Sequence, residues 1–232
     1  MITLFAGCKK DVETVFVASP SAPLSGETPI LGDDETAACS DTIVYLGSDL
    51  IVNGSFEEGH DLGNNQWGVF DQVGAWYADL TSSDAGIEIQ TGQTIGGLAP
   101  SDGNSKLEFD AHNKNGFSAS DVEVYQTLDT DAAEDYILSF DYSPRVQGNE
   151  STNAADVYWD GNLIASLNSE VKGWQTYTLV VRGAGAGTRL SFKGFVDGDT
   201  LGGYLDNVKV KQLKPDEEGA SESVVVRSCI FE

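Results

Sequence analysis

Apolar and polar positions alternate with a period of two along much of the chain. In residues 136–143 (YILSFDYS) every second side chain is apolar, and residues 189–195 (RLSFKGF) show the same spacing at Leu190 and Phe192. This period is typical of antiparallel strands that bury one face. The pattern predicts eleven strands, at residues 50–53, 76–80, 87–90, 106–110, 122–128, 136–144, 155–159, 163–167, 175–182, 189–195 and 203–212.

Turn residues separate these strands at short intervals. Asp160-Gly161 lies between two of them, and this pair tolerates the positive φ angles of a tight hairpin turn. Many short strands with frequent turn signals are typical of a two-sheet antiparallel β-sandwich. We therefore predict an all-β jelly roll over residues 47–213.

The two flanks of the predicted sandwich have a different composition. Residues 1–46 read as an extended arm, because residues 19–34 hold three of the six prolines together with Ser, Gly and acidic residues. Residues 214–232 form an acidic tail that ends in a strand-like stretch. We expect this last strand to pair with the arm or to add to a sheet of a neighbouring protein.

Charge narrows the range of partners. The chain carries 13 basic and 37 acidic residues, a formal net charge of −24. Binding to nucleic acid depends on Lys and Arg, so a nucleic-acid partner is excluded. The acidity favours solubility in a salty medium, binding of divalent cations, or both. The chain has no apolar stretch of 18 residues, so we expect no membrane span.

The three cysteines bear on the compartment. They form no CxxC pair, and Cys39 and Cys229 lie on the two sides of the sandwich, so a disulfide between them is plausible in an oxidising compartment. Cys8 lies in residues 4–11 (LFAGCKKD), which resemble a bacterial lipobox with too short a leader. Two interpretations stay open: a lipid anchor at the cell surface, with the true start upstream, or a genuine Met1 in an unsecreted virion protein.

Two motifs about 150 residues apart suggest a metal site. Residues 52–58 (VNGSFEE) end one predicted strand and residues 202–208 (GGYLDNV) lie at the last one. A sandwich brings its first and last strands side by side, so Glu57 and Asp206 are candidate ligands of a structural Ca²⁺ ion. Calcium takes oxygen ligands. The alternative is that both residues serve only as turn and cap residues.

Residues 53–57 (NGSFE), 136–142 (YILSFDY) and 204–208 (YLDNV) resemble the galactose-binding-like jelly rolls, which include carbohydrate-binding modules of families 4, 16 and 22. Trp67–Phe70 and four further segments, residues 87–90, 107–110, 142–145 and 157–160, are similar to modules in RTX-type adhesins of marine bacteria. The resemblance covers residues 49–212. It implies a jelly roll that carries a structural calcium where the first and last strands meet.

Candidate glycan contacts follow from aromatic and polar positions. Sugars stack on aromatic rings, and carboxylates or amides pair with their hydroxyl groups. The predicted ligand-binding residues are Trp76, Glu88, Asp110, Arg145 and Trp159. Trp67 is instead expected in the core. The alternative for the polar residues is a solvated face with an ion pair.

No catalytic motif is present, because the chain lacks Gly-x-Ser-x-Gly and His-Glu-x-x-His and no spacing singles out a carboxylate pair. We therefore expect a non-catalytic, calcium-stabilised module that binds a glycan or polysaccharide in surface attachment outside the cell. The alternative is a structural virion protein, such as a decoration or spike subunit, held in a larger assembly by its arm and tail.

Overall fold

A computed structural model describes residues 12–17, 38–79, 86–94, 97–112, 119–148, 150–169, 171–195, 201–214 and 223–230. Regular structure in these residues is almost entirely β. The strands are β1 (Val12–Val17), β2 (Ala38–Asp49), β3 (Trp67–Phe70), β4 (Gln72–Val73), β5 (Trp76–Ala78), β6 (Ile87–Thr91), β7 (Ser105–Glu108), β8 (Asp110–His112), β9 (Ala119–Asp121), β10 (Glu123–Asp129), β11 (Asp135–Ser143), β12 (Ala155–Trp159), β13 (Asn162–Leu167), β14 (Gln175–Arg182), β15 (Ala186–Gly194), β16 (Tyr204–Lys214) and β17 (Ser223–Ile230). A helical turn, α1 (Glu150–Asn153), lies between β11 and β12. Among the described residues there is no helix long and apolar enough to cross a membrane.

The strands form two main sheets. In the first, β14, β11 and β16 are neighbours, and the other edge of β16 pairs with β7 near its start and with β2 near its end. From there the sheet continues through β6 to β3 and through β17 to β1. The second sheet has the order β13-β12-β15-β10-β5-β4, and β8 and β9 form a separate pair. The predicted all-β antiparallel sandwich is confirmed; the β1–β17 pair is parallel.

The core lies between the two sheets. Phe140 and Leu205 of the first sheet and Leu190 and Phe192 of the second are fully buried. The rings of Phe140 and Phe192 meet edge-on with their centroids 5.2 Å apart. Side chains from alternate positions of each strand therefore interdigitate, as the period of two predicted.

Local chemistry explains where the strand predictions hold and where one does not. Asp160 and Gly161 have φ angles of 48° and 75° and join β12 to β13, which confirms the predicted hairpin turn. Residues 50–53 were predicted as a strand and are irregular. There the side chain of Gln126 bonds both the N–H and the C=O of Val52, at 2.9 and 3.0 Å, in place of a strand partner.

The two motifs that are remote in sequence meet in the fold. The N–H group of Val208 donates to the C=O group of Gly54 at 3.0 Å. A Cβ atom at position 54 would lie 2.0 Å from the backbone oxygen of Val208, so no side chain fits there. Glycine is thus required by the close approach of two backbones.

The flanks contribute strands to the first sheet. β17 pairs with β2 along its length and with β1 on its other edge, so the C-terminal strand does pair with the arm. β2 and β16 extend across the predicted boundaries at residues 46 and 213. Cys8 and its lipobox-like segment lie outside the described residues.

We expect Cys39 and Cys229 to form a disulfide in the oxidised protein. They are paired positions of β2 and β17. Such pairs in antiparallel strands have Cα atoms about 4.5–5.5 Å apart, within the range of about 4.4–6.8 Å that disulfides use. Non-reducing peptide mapping should link the two peptides, and Cys8→Ser should leave that link intact. Two free thiols under oxidising conditions, or a link through Cys8, would contradict this expectation.

Candidate functional site

The outer face of the first sheet, which is turned away from the core, carries polar side chains that are shielded from water. In β6 and β7, Ile89 and Leu107 point into the core, so their neighbours Glu88, Gln90 and Glu108 point to the opposite side. None of these three polar residues is more than 1% exposed. Buried polar groups require partners, and those partners define the site.

An amide bridges two carboxylates at the centre of this face. Glu88 and Glu108 are directly paired positions of β6 and β7. The Gln90 Nε2 group donates to Glu88 Oε1 at 3.0 Å and also to Glu108 Oε2. Both N–H donors of one side chain are thereby committed to bridging two neighbouring carboxyl groups.

Arg145 supplies the countercharge for Glu108. Its guanidinium donates to Glu108 Oε1, and the N–H group of Gly202 donates to the same oxygen at 2.9 Å. Burial, followed by the neighbouring Glu88, raises the pKa of Glu108 well above its ordinary value, while Arg145 acts in the opposite direction. Arg145 thus opposes the effect of burial on the Glu108 pKa without cancelling it.

An exposed indole connects to the buried carboxylates through a histidine. The Nδ1 atom of His112 lies 3.2 Å from Glu88 Oε2, and the His112 N–H group donates to the same oxygen at 3.4 Å. The ring of His112 lies 5.0 Å from the Trp67 ring, centroid to centroid. Trp67 is 39% exposed, so an apolar surface in contact with solvent stands directly beside the polar cluster.

A second aromatic group borders the site on the other side. Lys106, paired with Gln90, is fully buried; its Nζ donates to Gly92 O at 3.1 Å and lies 5.0 Å from the centre of the Tyr204 ring. Burial lowers the pKa of Lys106 to about 8. The half-buried Trp174 lies 6.4 Å from the Tyr204 ring. Trp67 in β3 and Trp174 just before β14 thus lie towards opposite edges of the first sheet's outer face.

Three of the predicted ligand-binding residues come together here. Glu88 and Arg145 are linked through Glu108. Asp110 is buried, and its Oδ2 accepts the N–H group of Leu201 at 3.2 Å, next to the residue that donates to Glu108. The carboxyl groups here are buried, so the alternative of a solvated face is wrong, although the ion pair that this alternative expected is present between Arg145 and Glu108.

The two predicted tryptophan contacts are wrong. Trp76 is 0% exposed, packs 5.4 Å from the Phe56 ring and donates its Nε1–H to Asn53 O at 2.9 Å. Trp159 is also buried, and its Nε1–H donates to Arg182 O at 2.6 Å. Both occupy inward positions of the second sheet, where their indole rings fill the core.

Sequence reasoning missed the bridging and bordering residues. Glu108 and Gln90 alternate with core residues in the same way as Glu88, but the period of two by itself did not single them out as site residues. Trp67 was expected in the core, but β3 ends the sheet beyond β6, and an edge position leaves its ring in contact with solvent. The sequence held no signal for Trp174, because its place beside Tyr204 depends on how distant segments meet.

The two predicted calcium ligands converge on one segment, residues 101–105. Glu57 Oε1 accepts two successive backbone N–H groups of this segment, at 2.7 Å each. Asp206 Oδ2 accepts two others, at 2.8 and 3.0 Å, and the hydroxyl of Ser101 at 3.1 Å. Burial raises the pKa of Asp206 to about 7. Together the two carboxylates hold the segment over the first sheet.

This donor set fits calcium only in part. Asp206 Oδ2 is fully engaged, whereas its Oδ1 accepts a single N–H group, from Asn207 at 2.7 Å. Glu57 is exposed and uses Oε1 for its hydrogen bonds. Within the described part of the chain, no group of three or more His, Cys, Asp or Glu residues is arranged to hold a metal. Backbone carbonyls would have to complete the six to eight oxygens that calcium takes.

Comparison with known proteins relates the chain to two bacterial toxins. No family model matches it. It is 29% identical over 174 residues to a multifunctional-autoprocessing repeats-in-toxin protein of Vibrio vulnificus. The matched region covers 74% of this chain and 3% of the toxin. The corresponding protein of Vibrio cholerae serotype O1 is 28% identical over 183 residues, 78% of this chain and 4% of the toxin. The expected resemblance to RTX-type proteins is confirmed, and the chain spans a small part of their length.

Solved structures show the fold. A Stig cyclase from Fischerella sp. TAU has a TM-score of 0.53 and 14% identity to this chain. The aligned region covers 74% of this chain and 100% of the cyclase. An apo cyclase from Fischerella sp. has a TM-score of 0.50, 13% identity and coverages of 77% and 99%. The CBM22-1 xylan-binding domain of Paenibacillus barcinonensis has a TM-score of 0.40 and 13% identity and covers 74% of this chain and 99% of its own. The cyclases share the sandwich, and a shared fold does not decide function.

Replacing Arg145 with methionine should lower the free energy of unfolding by about 3–5 kcal/mol, because Glu108 would stay buried without its countercharge. Adding Glu108→Gln to that variant should recover most of the loss. Urea unfolding measures both changes. Arg182→Met is the matched control: its ion pair with Asp135 is exposed, so it should cost less than about 1 kcal/mol. Equal losses for the two arginine variants would contradict the role of Arg145.

Proposed function

We propose that this domain binds glycans on the outer face of the first sheet, between Trp67 and Trp174, without catalysing a reaction. One observation carries the proposal: the exposed Trp67 ring is joined through His112 to the buried carboxylates. Aromatic rings pack against the apolar faces of sugars, while a few fixed polar groups set orientation and specificity. The outer face offers both.

The absence of catalysis is supported by how Glu108 is held. One of its oxygens accepts hydrogen bonds from Arg145 and the Gly202 N–H group, and the other accepts one from Gln90. A general acid or base must be free to exchange a proton with a substrate. Glu108 is instead fixed by three donors, which suits it to orienting neighbours rather than transferring protons.

We infer that the domain acts outside the cell, in surface attachment. The similarity to segments of two repeats-in-toxin proteins supports this location. Cys39 and Cys229 occupy paired positions of β2 and β17, and the disulfide expected between them would suit an oxidising compartment. Lipid anchoring through Cys8 remains a prediction from the sequence.

A glycan array probed with the full chain should show binding to one class of sugar. Trp67→Ala should weaken that binding at least about tenfold, or about 1.4 kcal/mol, because it removes the stacking surface. Phe195→Ala is the control, since Phe195 has nearly the same exposure, 38% against 39%, and directly follows β15 of the second sheet.

Two outcomes would contradict the proposal. The first is a folded protein that binds no glycan on the array, which would favour the alternative of a structural assembly protein. The second is an equal loss of binding in the two variants, which would mean that glycans do not contact the Trp67 side of the sheet.

We further propose that Ca²⁺ binds at Glu57 and Asp206 and stabilises the fold. Support comes from their convergence on residues 101–105 and from the meeting of the motifs that contain them. Bound calcium would neutralise part of the buried Asp206 charge and reinforce the contact between the first and last segments of the sandwich.

Calcium at about 100 times its dissociation constant should add about 2.7 kcal/mol to the free energy of unfolding, because it binds the folded state alone. Thermal melts in calcium and in EDTA measure this difference. Glu57→Gln should remove it, while the exposed neighbour variant Glu58→Gln should keep it. Identical melting temperatures in calcium and EDTA would refute the calcium proposal and leave Glu57 and Asp206 as hydrogen-bond acceptors for the segment.

A further inference from the structure

Among the described residues, no permanently charged side chain forms a direct ion pair with Glu88, although the Arg145 guanidinium attracts it through space. Its carboxylate accepts hydrogen bonds from Gln90 Nε2 and from His112, and its ion-pair partner in this part of the chain is His112. Histidine carries a charge only when it is protonated. Arg145, by contrast, donates to Glu108. The central pair of carboxyl groups therefore has one permanently charged ion-pair partner among the described residues, Arg145, and it contacts Glu108.

A buried acceptor in the same place lacks a donor. Gln90 is 0% exposed, and its Oε1 atom has no hydrogen-bond partner in the described structure. Its Nε2 atom donates to both carboxylates, so Oε1 lies at the edge of the same cluster. A buried oxygen without a donor is uncommon in folded proteins and calls for a physical explanation.

The buried cation Lys106 does not supply the missing donor. Lys106 is the residue paired with Gln90, but its Nζ donates to Gly92 O and lies over the Tyr204 ring. The cluster thus presents a carboxyl group with no direct ion pair to a permanent cation among the described residues, beside an amide oxygen without a donor. Both groups accept hydrogen bonds and neither donates.

We propose that the glycan recognised by this face carries a free amino group, and that its ammonium binds between the Glu88 carboxylate and Gln90 Oε1. An ammonium offers three donors, no acceptor and one positive charge, which matches what the cluster lacks. Glycans with uronic or sialic acid groups are disfavoured, because their carboxylates would face Glu88. This inference rests on the proposed function of the outer face.

The approach to Glu88 leads past His112 and Trp67. The His112 side chain is 17% exposed and contacts both Glu88 and the Trp67 ring. An ammonium that replaces His112 at Glu88 would bring the attached sugar ring against the indole. One residue would thus separate the stacking surface from the charge that selects the ligand.

Titration calorimetry with the full chain and four oligosaccharides of equal length and linkage tests this inference. The four are built from glucosamine, N-acetylglucosamine, glucose and glucuronic acid. We expect the glucosamine oligomer to bind at least about tenfold more tightly than the two neutral ones, and the glucuronic acid oligomer to bind most weakly. Glu88→Gln should reduce the glucosamine affinity to the neutral level, whereas the exposed control Glu134→Gln should not.

A pH series on the unaltered protein keeps the test independent of how the variants fold. Raising the pH above the pKa of the ligand amine should weaken binding of the glucosamine oligomer and leave that of the glucose oligomer unchanged. Equal affinity for glucose and glucosamine oligomers would overturn the amine proposal and leave glycan binding in place. Binding of a lysine-rich peptide but of no glycan, or binding of nothing, would overturn both proposals.

Discussion

Glu108 and Arg145 form the ion pair on which the outer face of the first sheet is organised. Glu108 is fully buried, and a buried charge is tolerated only when a countercharge and hydrogen bonds replace the water it has lost. Arg145 follows β11 and Gly202 precedes β16, so this one carboxylate fixes how two loops meet the strand β7. The amide of Gln90 then ties the same carboxylate to Glu88.

Two further carboxylates hold residues 101–105 through hydrogen bonds. Glu57 and Asp206 come from the two ends of the sandwich, and each binds backbone N–H groups of residues 101–105. Their own motifs are joined where the N–H group of Val208 meets Gly54. The fold therefore closes on itself through contacts between the start, the middle and the end of the domain. Carboxylates therefore hold both the closure and the candidate site, and of the two at the closure only Asp206 is buried.

The tryptophans show how position in a sheet decides the role of a side chain. Trp76 and Trp159 point inward from the second sheet and fill the core. Trp67 belongs to a strand at the edge of the first sheet and keeps part of its ring in solvent. All three are large apolar groups on short strands. Composition and alternation do not separate them, because the difference depends on which strands lie beside each one.

The sequence by itself determined the class of fold, the hairpin at Asp160-Gly161 and the alternation that sends Glu88 and core residues to opposite faces, because these depend on neighbouring residues. The meeting of the two end motifs was also predictable from the sequence, because a sandwich places its first and last strands side by side. Only the tertiary structure decided that the polar face is buried, that Arg145 pairs with Glu108 and that Trp67, rather than Trp76, faces solvent. Those features depend on strand order and on loops that cross between distant strands, and no local pattern encodes either.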